Sequence, residues 1–211
     1  MTRNQIIISS IIAGVAIILA FLQLIPFTLI ETLGFVTGAF TVWLTVKENI
    51  WCWPIGIANN IFFIILFYNS RLFADMGLQV IYIVLSVLGW YWWLRGGKNN
   101  STLRISRISF PHALILGGIT ILGTYFMREY LISINDAAPL MDAVTTVLSL
   151  IAQYLLTRKY LENWYVWMIA DSIYIYLYFV RELYLTGILY ILFFTMCIIG
   201  LKAWKQSAQK G

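Results

Sequence analysis

Trp167, Asp171, Tyr174 and Tyr178 stand four, three and four residues apart in an apolar stretch. As a helix, that spacing lines up one carboxylate and three aromatic rings on a single face. An acid set among apolar neighbours is costly and argues for function, and aromatic faces attract cations through their ring quadrupole. A second apolar stretch carries Thr145, Ser149 and Gln153 at a spacing of four. The first half of the chain offers Trp53 followed by the amides Asn59 and Asn60, then Gln79 and Tyr82 three apart. Amides and hydroxyls both donate to and accept from sugar hydroxyls. The twelve residues together suit a planar, hydroxylated and preferably cationic solute. For Thr37, Thr145 and Ser149 taken singly, helix-to-helix hydrogen bonding is the competing role. Asp142 stands at the start of its apolar run, where the helix dipole favours a carboxylate, and reads first as a cap.

Other chemistry finds little support. Cys52 and Cys197 form neither a disulfide framework nor a metal spacing, and the single His112 has no second ligand nearby in the sequence. There is no nucleophile–base pair and no phosphate-binding loop. The sequence therefore implies no cofactor, no metal, no nucleic-acid partner and no enzyme.

These residues sit in a duplicated frame. Glu48-Asn49, Trp51, Trp53, Ile57-Ala58-Asn59, Leu66, Leu72-Phe73, Leu78, Gly89 and Trp93 recur in order as Glu162-Asn163, Trp164, Trp167, Ile169-Ala170-Asp171, Leu177, Leu183-Tyr184, Leu189, Gly200 and Trp204. Val36-Thr37 and Val144-Thr145 extend the match backwards. Duplicated bundles in an apolar chain are how many transporters build a solute site near the bilayer midplane.

With 61% hydrophobic and 11% charged residues, the chain is far from a soluble domain, in which about a quarter of residues are charged. Eight apolar runs stand out, at 6–24, 32–46, 53–68, 74–95, 110–127, 139–157, 164–180 and 184–204. They are continuous rather than alternating, which favours helices over a barrel. The first run lacks a signal-peptide cleavage site and is expected to be retained. The expected organisation is an extra helix in 1–30, a three-helix bundle in 31–95, a linker at 96–108, a connecting helix in 109–130, a second three-helix bundle in 131–204 and a tail at 205–211. One joining helix makes the two bundles parallel repeats.

Eight crossings sort the basic residues. Arg3, Lys47, Arg95, Lys98, Arg104, Arg107, Arg158, Lys159, Lys202, Lys205 and Lys210 fall on one side, leaving Arg71, Arg128 and Arg181 of the 14 on the other. The positive-inside rule then puts both termini and the 95–107 loop in the cytoplasm. Trp90 to Trp93, Tyr160 and Trp204 stand near these charges and are expected to form an interfacial aromatic belt.

The run Met141-Asp142-Ala143-Val144-Thr145-Thr146-Val147-Leu148-Ser149 through Gln153, then Glu162-Asn163-Trp164, Trp167-Met168-Ile169-Ala170-Asp171 and Leu183 to Tyr190, resembles the PnuC family of bacterial vitamin transporters. So does Glu48 to Gly56, and the resemblance covers about residues 32–204. It implies an all-α, eight-helix, SWEET-like 3+1+3 arrangement in the inner membrane. It also implies nicotinamide riboside as solute, with thiamine or riboflavin as alternatives, carried by facilitated diffusion and trapped by a cytoplasmic kinase. A homotrimer is implied as well. The family's Trp-x-x-x-Asn element reads Trp167-x-x-x-Asp171 here, so an acid replaces an amide. That change suits a cationic vitamin, and it also leaves open a proton-coupled carrier in which Asp171 cycles a proton.

Overall fold

The computed structural model describes residues 29–69, 73–136, 138–180 and 184–210. Seven α-helices occupy them: α1 (Leu29–Val46), α2 (Cys52–Asn69), α3 (Phe73–Arg95), α4 (Phe110–Ser133), α5 (Pro139–Thr157), α6 (Asn163–Val180) and α7 (Tyr184–Lys210). The helix expected over 6–24 lies outside the described residues, as do Arg71 and Arg181. Five of the seven helices are long and apolar enough to cross a membrane: α2, α3, α4, α5 and α7. Pro54, Pro111 and Pro139 all stand in first helical turns, where a missing N–H costs nothing. Two helices outrun their apolar cores. α4 continues past the expected end at 127 to Ser133, and α7 continues through the expected tail to Lys210. No breaker interrupts either extension, and the Lys-rich end of α7 complements the helix dipole.

The chain divides into two compact units, Met1–Thr41 with Trp51–Val87 and Val42–Ile50 with Leu88–Gly211. In the first, α2 is tied to α1 by one side chain. The Asn59 amide nitrogen donates to the Gly34 carbonyl at 2.5 Å and to the Thr37 hydroxyl at 3.0 Å. Gly38 faces the same amide, and Gly34 faces the Phe63 ring.

In the second unit α4 packs on α5, α5 on α6, and α6 on α7. The α6–α7 seam follows from sequence spacing. Trp164, Trp167, Asp171, Tyr174 and Tyr178 on α6, and Tyr190, Phe193, Cys197, Gly200 and Trp204 on α7, each repeat at alternating three and four residues, the period of helices packed nearly parallel or antiparallel. They meet head to tail. Trp164 stands edge-on to Trp204 at 5.4 Å, Cys197 faces Asp171, and Tyr190 lies 4.6 Å from Tyr174 and 5.2 Å from Tyr178. Gly200 makes room for the Trp164 ring, which would come within 2.5 Å of a Cβ there.

Two of the tryptophans expected in the interfacial belt are core residues instead. Trp204 is fully buried and donates its indole N–H to the Thr45 carbonyl at 3.0 Å, and Trp93 is 3% exposed and donates to the Leu156 carbonyl at 3.1 Å. Their rings lie 5.9 Å apart. An indole needs both an apolar surface and one acceptor, and helix-end carbonyls supply the acceptor here as well as headgroups would. Trp90 and Tyr91 remain exposed, as a belt requires.

At the same end of this unit, α1 and α5 finish in the same turn. The N–H of Glu48 bonds the Thr45 carbonyl and that of Asn49 the Leu44 carbonyl; likewise Lys159 bonds Leu156 and Tyr160 bonds Leu155. These are Schellman turns, with Glu48 (φ 53°) and Lys159 (φ 57°) at the left-handed position. The two turn residues carry opposite charges and pair at 2.8 Å. The Lys159 ammonium also donates to the Leu103 carbonyl at 3.1 Å and lies 4.7 Å from the centre of the Trp93 ring. Glu48→Gln leaves this ammonium, on a side chain only 10% exposed, without its counter-charge. A loss of about 2 kcal/mol is expected, less than the ~3–5 kcal/mol of a fully buried pair because Glu48 keeps a quarter of its surface. Thermal unfolding in detergent, run as a double-mutant cycle with Lys159→Met, measures it; simple additivity of the two losses would show that the pair is uncoupled.

Candidate functional site

In the second unit the predicted residues gather around α6. Thr145 and Ser149, one turn apart on α5, are 1% and 2% exposed, and the Tyr174 hydroxyl faces both of their hydroxyls. Thr145 also donates back to the Met141 and Asp142 carbonyls at 3.0 and 3.2 Å. Tyr174 and Tyr178 are stacked at 6.0 Å, and Tyr190 closes the group from α7. One layer along the seam, Asp171 is 3% exposed and accepts a long hydrogen bond of 3.6 Å from the Cys197 thiol. Among the described residues no Lys, Arg or His pairs with Asp171. Trp167 and Gln153 are half-buried, and neither makes a hydrogen bond or ring contact with another described side chain. A half-buried amide with no internal partner needs one from outside.

In the first unit Trp53 is buried, and Asn59, Asn60, Gln79 and Tyr82 are half-buried. Asn59 spends both amide hydrogens on α1; its carbonyl oxygen is what it can still offer a solute. Asn60 and Gln79 make no side-chain hydrogen bond with other described residues. Asn59 therefore also clamps two helices together. Asn59→Leu is expected to lower stability by about 1 kcal/mol, the scale of interhelical hydrogen bonds in membrane proteins. Solute affinity should change less than twofold, about 0.4 kcal/mol. Unfolding and binding measured on the same preparation separate the two effects, and a larger fall in affinity than in stability would make Asn59 a solute contact.

Sequence reasoning passed over Tyr190, Phe193 and Cys197 as site residues. The signal was present, because they share the three-and-four spacing that singled out the α6 face. Asp142 stands in the first turn of α5, with its N–H bonded to the Ala138 carbonyl at 3.0 Å. His112 packs against two tyrosines. Its ring lies edge-on to Tyr154 and Tyr160, and its Nε2 is 3.3 Å from the Tyr154 hydroxyl.

Five helices of membrane length, with a carboxyl, hydroxyls and a tyrosine cluster gathered where α5, α6 and α7 meet, fit a multi-pass membrane transporter for small organic solutes. A family model described as nicotinamide mononucleotide transporter matches residues 28–206, and the chain belongs to that family, the family of the PnuC transporters. This is a family of transporters, not of enzymes. The chain is 27% identical over 207 residues to the nicotinamide riboside transporter PnuC of Escherichia coli, covering 86% of this chain and 87% of that one. It is 23% identical over 182 residues to the riboflavin/roseoflavin transporter RibM of Streptomyces davaonensis, covering 82% and 83%. Its fold is that of the vitamin B3 transporter PnuC seen in a crystal structure, with a TM-score of 0.76 at 20% identity over 100% of this chain and 94% of that one.

Proposed function

We propose that this protein takes up nicotinamide riboside across a bacterial inner membrane by facilitated diffusion. The observation that carries the reading is Asp171, a buried carboxyl with a thiol beside it and no cationic partner among the described residues. A buried charge of this kind is costly unless something compensates it. A pyridinium ring arriving as cargo supplies the missing charge, and the adjacent tyrosines supply ring faces that favour it. The Thr145 and Ser149 hydroxyls, together with Gln153, suit the ribose. The name of the Escherichia coli relative points the same way. Riboflavin, named for the Streptomyces relative, has a neutral ring system and would leave the acid uncompensated; thiamine, a cation without ribose, stands between them.

Transport in this reading is alternating access of the two repeats, in the eight-helix 3+1+3 arrangement that the sequence duplication implies. Both termini and the 96–108 linker lie in the cytoplasm, on the basic side of the chain. Net uptake is drawn by phosphorylation of the riboside by a cytoplasmic kinase, and the carrier assembles as a homotrimer. In liposomes, nicotinamide riboside should enter down its own gradient, saturably, and preloaded unlabelled riboside should accelerate entry of label. The same lone carboxyl supports a second reading, in which Asp171 carries a proton. Uptake that stops when the proton gradient is collapsed would replace facilitated diffusion with that mechanism.

A further inference from the structure

A cleft of about 450 Å³ opens at the end of the second unit where α3, α5 and α7 finish, beside the Trp164–Trp204 end of the α6–α7 seam and away from Asp171 and the tyrosines. Its polar lining is Arg107, Lys205, Ser106 and Gln209, and its apolar lining includes Ile105 and Leu161. No acid lines it. The segment that carries Arg107 is held in place. The Ser106 N–H donates to the Lys159 carbonyl at 3.2 Å, and the Ser106 carbonyl accepts from the Leu161 N–H at 2.9 Å. Two residues on, the Ile108 N–H donates to the Glu162 carboxylate at 3.0 Å, so this acid is engaged by the backbone. Lys205 is half-buried, its ammonium 5.5 Å from the centre of the Tyr165 ring. Arg107, exposed, and Lys205, half-buried, thus line one cleft with the polar Ser106 and Gln209 and the apolar Ile105 and Leu161.

We propose that this cleft binds a phosphate-bearing anion through Arg107 and Lys205. A guanidinium grips two phosphate oxygens at once, and an ammonium adds a point charge from the second element. Basic pockets at the ends of membrane helices take phospholipid headgroups in this way, and a soluble phosphomonoester presents the same oxygens. The apolar side chains of Ile105 and Leu161 in the lining would meet the glycerol or sugar portion of either. This inference does not depend on which vitamin the carrier takes.

The test uses the full chain in detergent, titrated in separate arms with short-chain phosphatidylglycerol and with glycerol 3-phosphate and followed by calorimetry. At least one arm should saturate. The double variant R107Q/K205Q should weaken that binding about 30-fold, the equivalent of about 1 kcal/mol for each charge removed. The control K98Q/K202Q removes the same charge outside the cleft and should change it less than about twofold, or 0.4 kcal/mol. Saturation by phosphatidylglycerol alone identifies a lipid headgroup, and saturation by both probes identifies a free phosphomonoester as sufficient. Failure of both arms to saturate, or equal weakening in the two double variants, overturns the proposal.

Discussion

Asp171→Asn is expected to weaken nicotinamide riboside binding about 10- to 100-fold, the scale of losing a charge-assisted contact worth about 1.5–3 kcal/mol. Asparagine keeps the shape and one acceptor oxygen, removes the charge and turns the second oxygen into an NH2 donor. The decisive companion is the reduced riboside, whose dihydropyridine ring is neutral while its ribose is unchanged. Against the unaltered protein, the reduced form should bind as weakly as the oxidised form binds to the variant. Against the variant, the two forms should differ little. If Asp171→Asn binds the oxidised riboside as tightly as the unaltered protein, the carboxyl is not a cation contact. Cys197→Ala serves as a control for packing, because the thiol touches the same carboxyl at 3.6 Å and should move affinity far less.

Gly200→Val is expected to cost more than the ~1–3 kcal/mol typical of overpacked cores. A Cβ at this position would stand 2.5 Å from two atoms of the Trp164 ring. That ring cannot swing aside, since it is 2% exposed and abuts Trp204, which is itself fully buried and bonded to the Thr45 carbonyl. Even Gly200→Ala should lower the unfolding temperature measurably, and Val should do so severely or prevent recovery of folded protein. Because Gly200 lies on the same stripe as Cys197, surviving Gly200→Ala protein should also bind solute more weakly, through displacement of α7. An alanine variant with unchanged unfolding temperature would show that α6 and α7 are not held at this distance.

The helices were largely legible because membrane helices advertise themselves. Apolar runs bounded by Pro, Gly and charge map onto α1 to α7 with small shifts at the ends. The face of α6 was legible for the same reason, as Trp167, Asp171, Tyr174 and Tyr178 keep one register. What sequence could not give was the partner of each side chain. Asn59 reads as a solute amide, and the structure adds that both its hydrogens go to Gly34 and Thr37. Trp93 and Trp204 look like belt residues until each is found donating to a helix-end carbonyl inside the protein. Both cases share a cause. A polar atom on an apolar helix signals that a partner is required, but the partner is decided by packing between segments far apart in sequence. The Glu48–Lys159 pair makes the point most sharply, since the sequence repeat matched Glu48 with Glu162, whereas the turn geometry makes Lys159 its counterpart.

The central claim, that this carrier selects a cationic riboside, is tested most directly by calorimetric titration of the purified protein with nicotinamide riboside, thiamine and riboflavin under one set of conditions. Nicotinamide riboside should bind saturably and more tightly than thiamine, with riboflavin giving no saturable heat. Tight binding of riboflavin with no response to nicotinamide riboside would contradict it, and would mean that Asp171 serves some purpose other than meeting a positive charge.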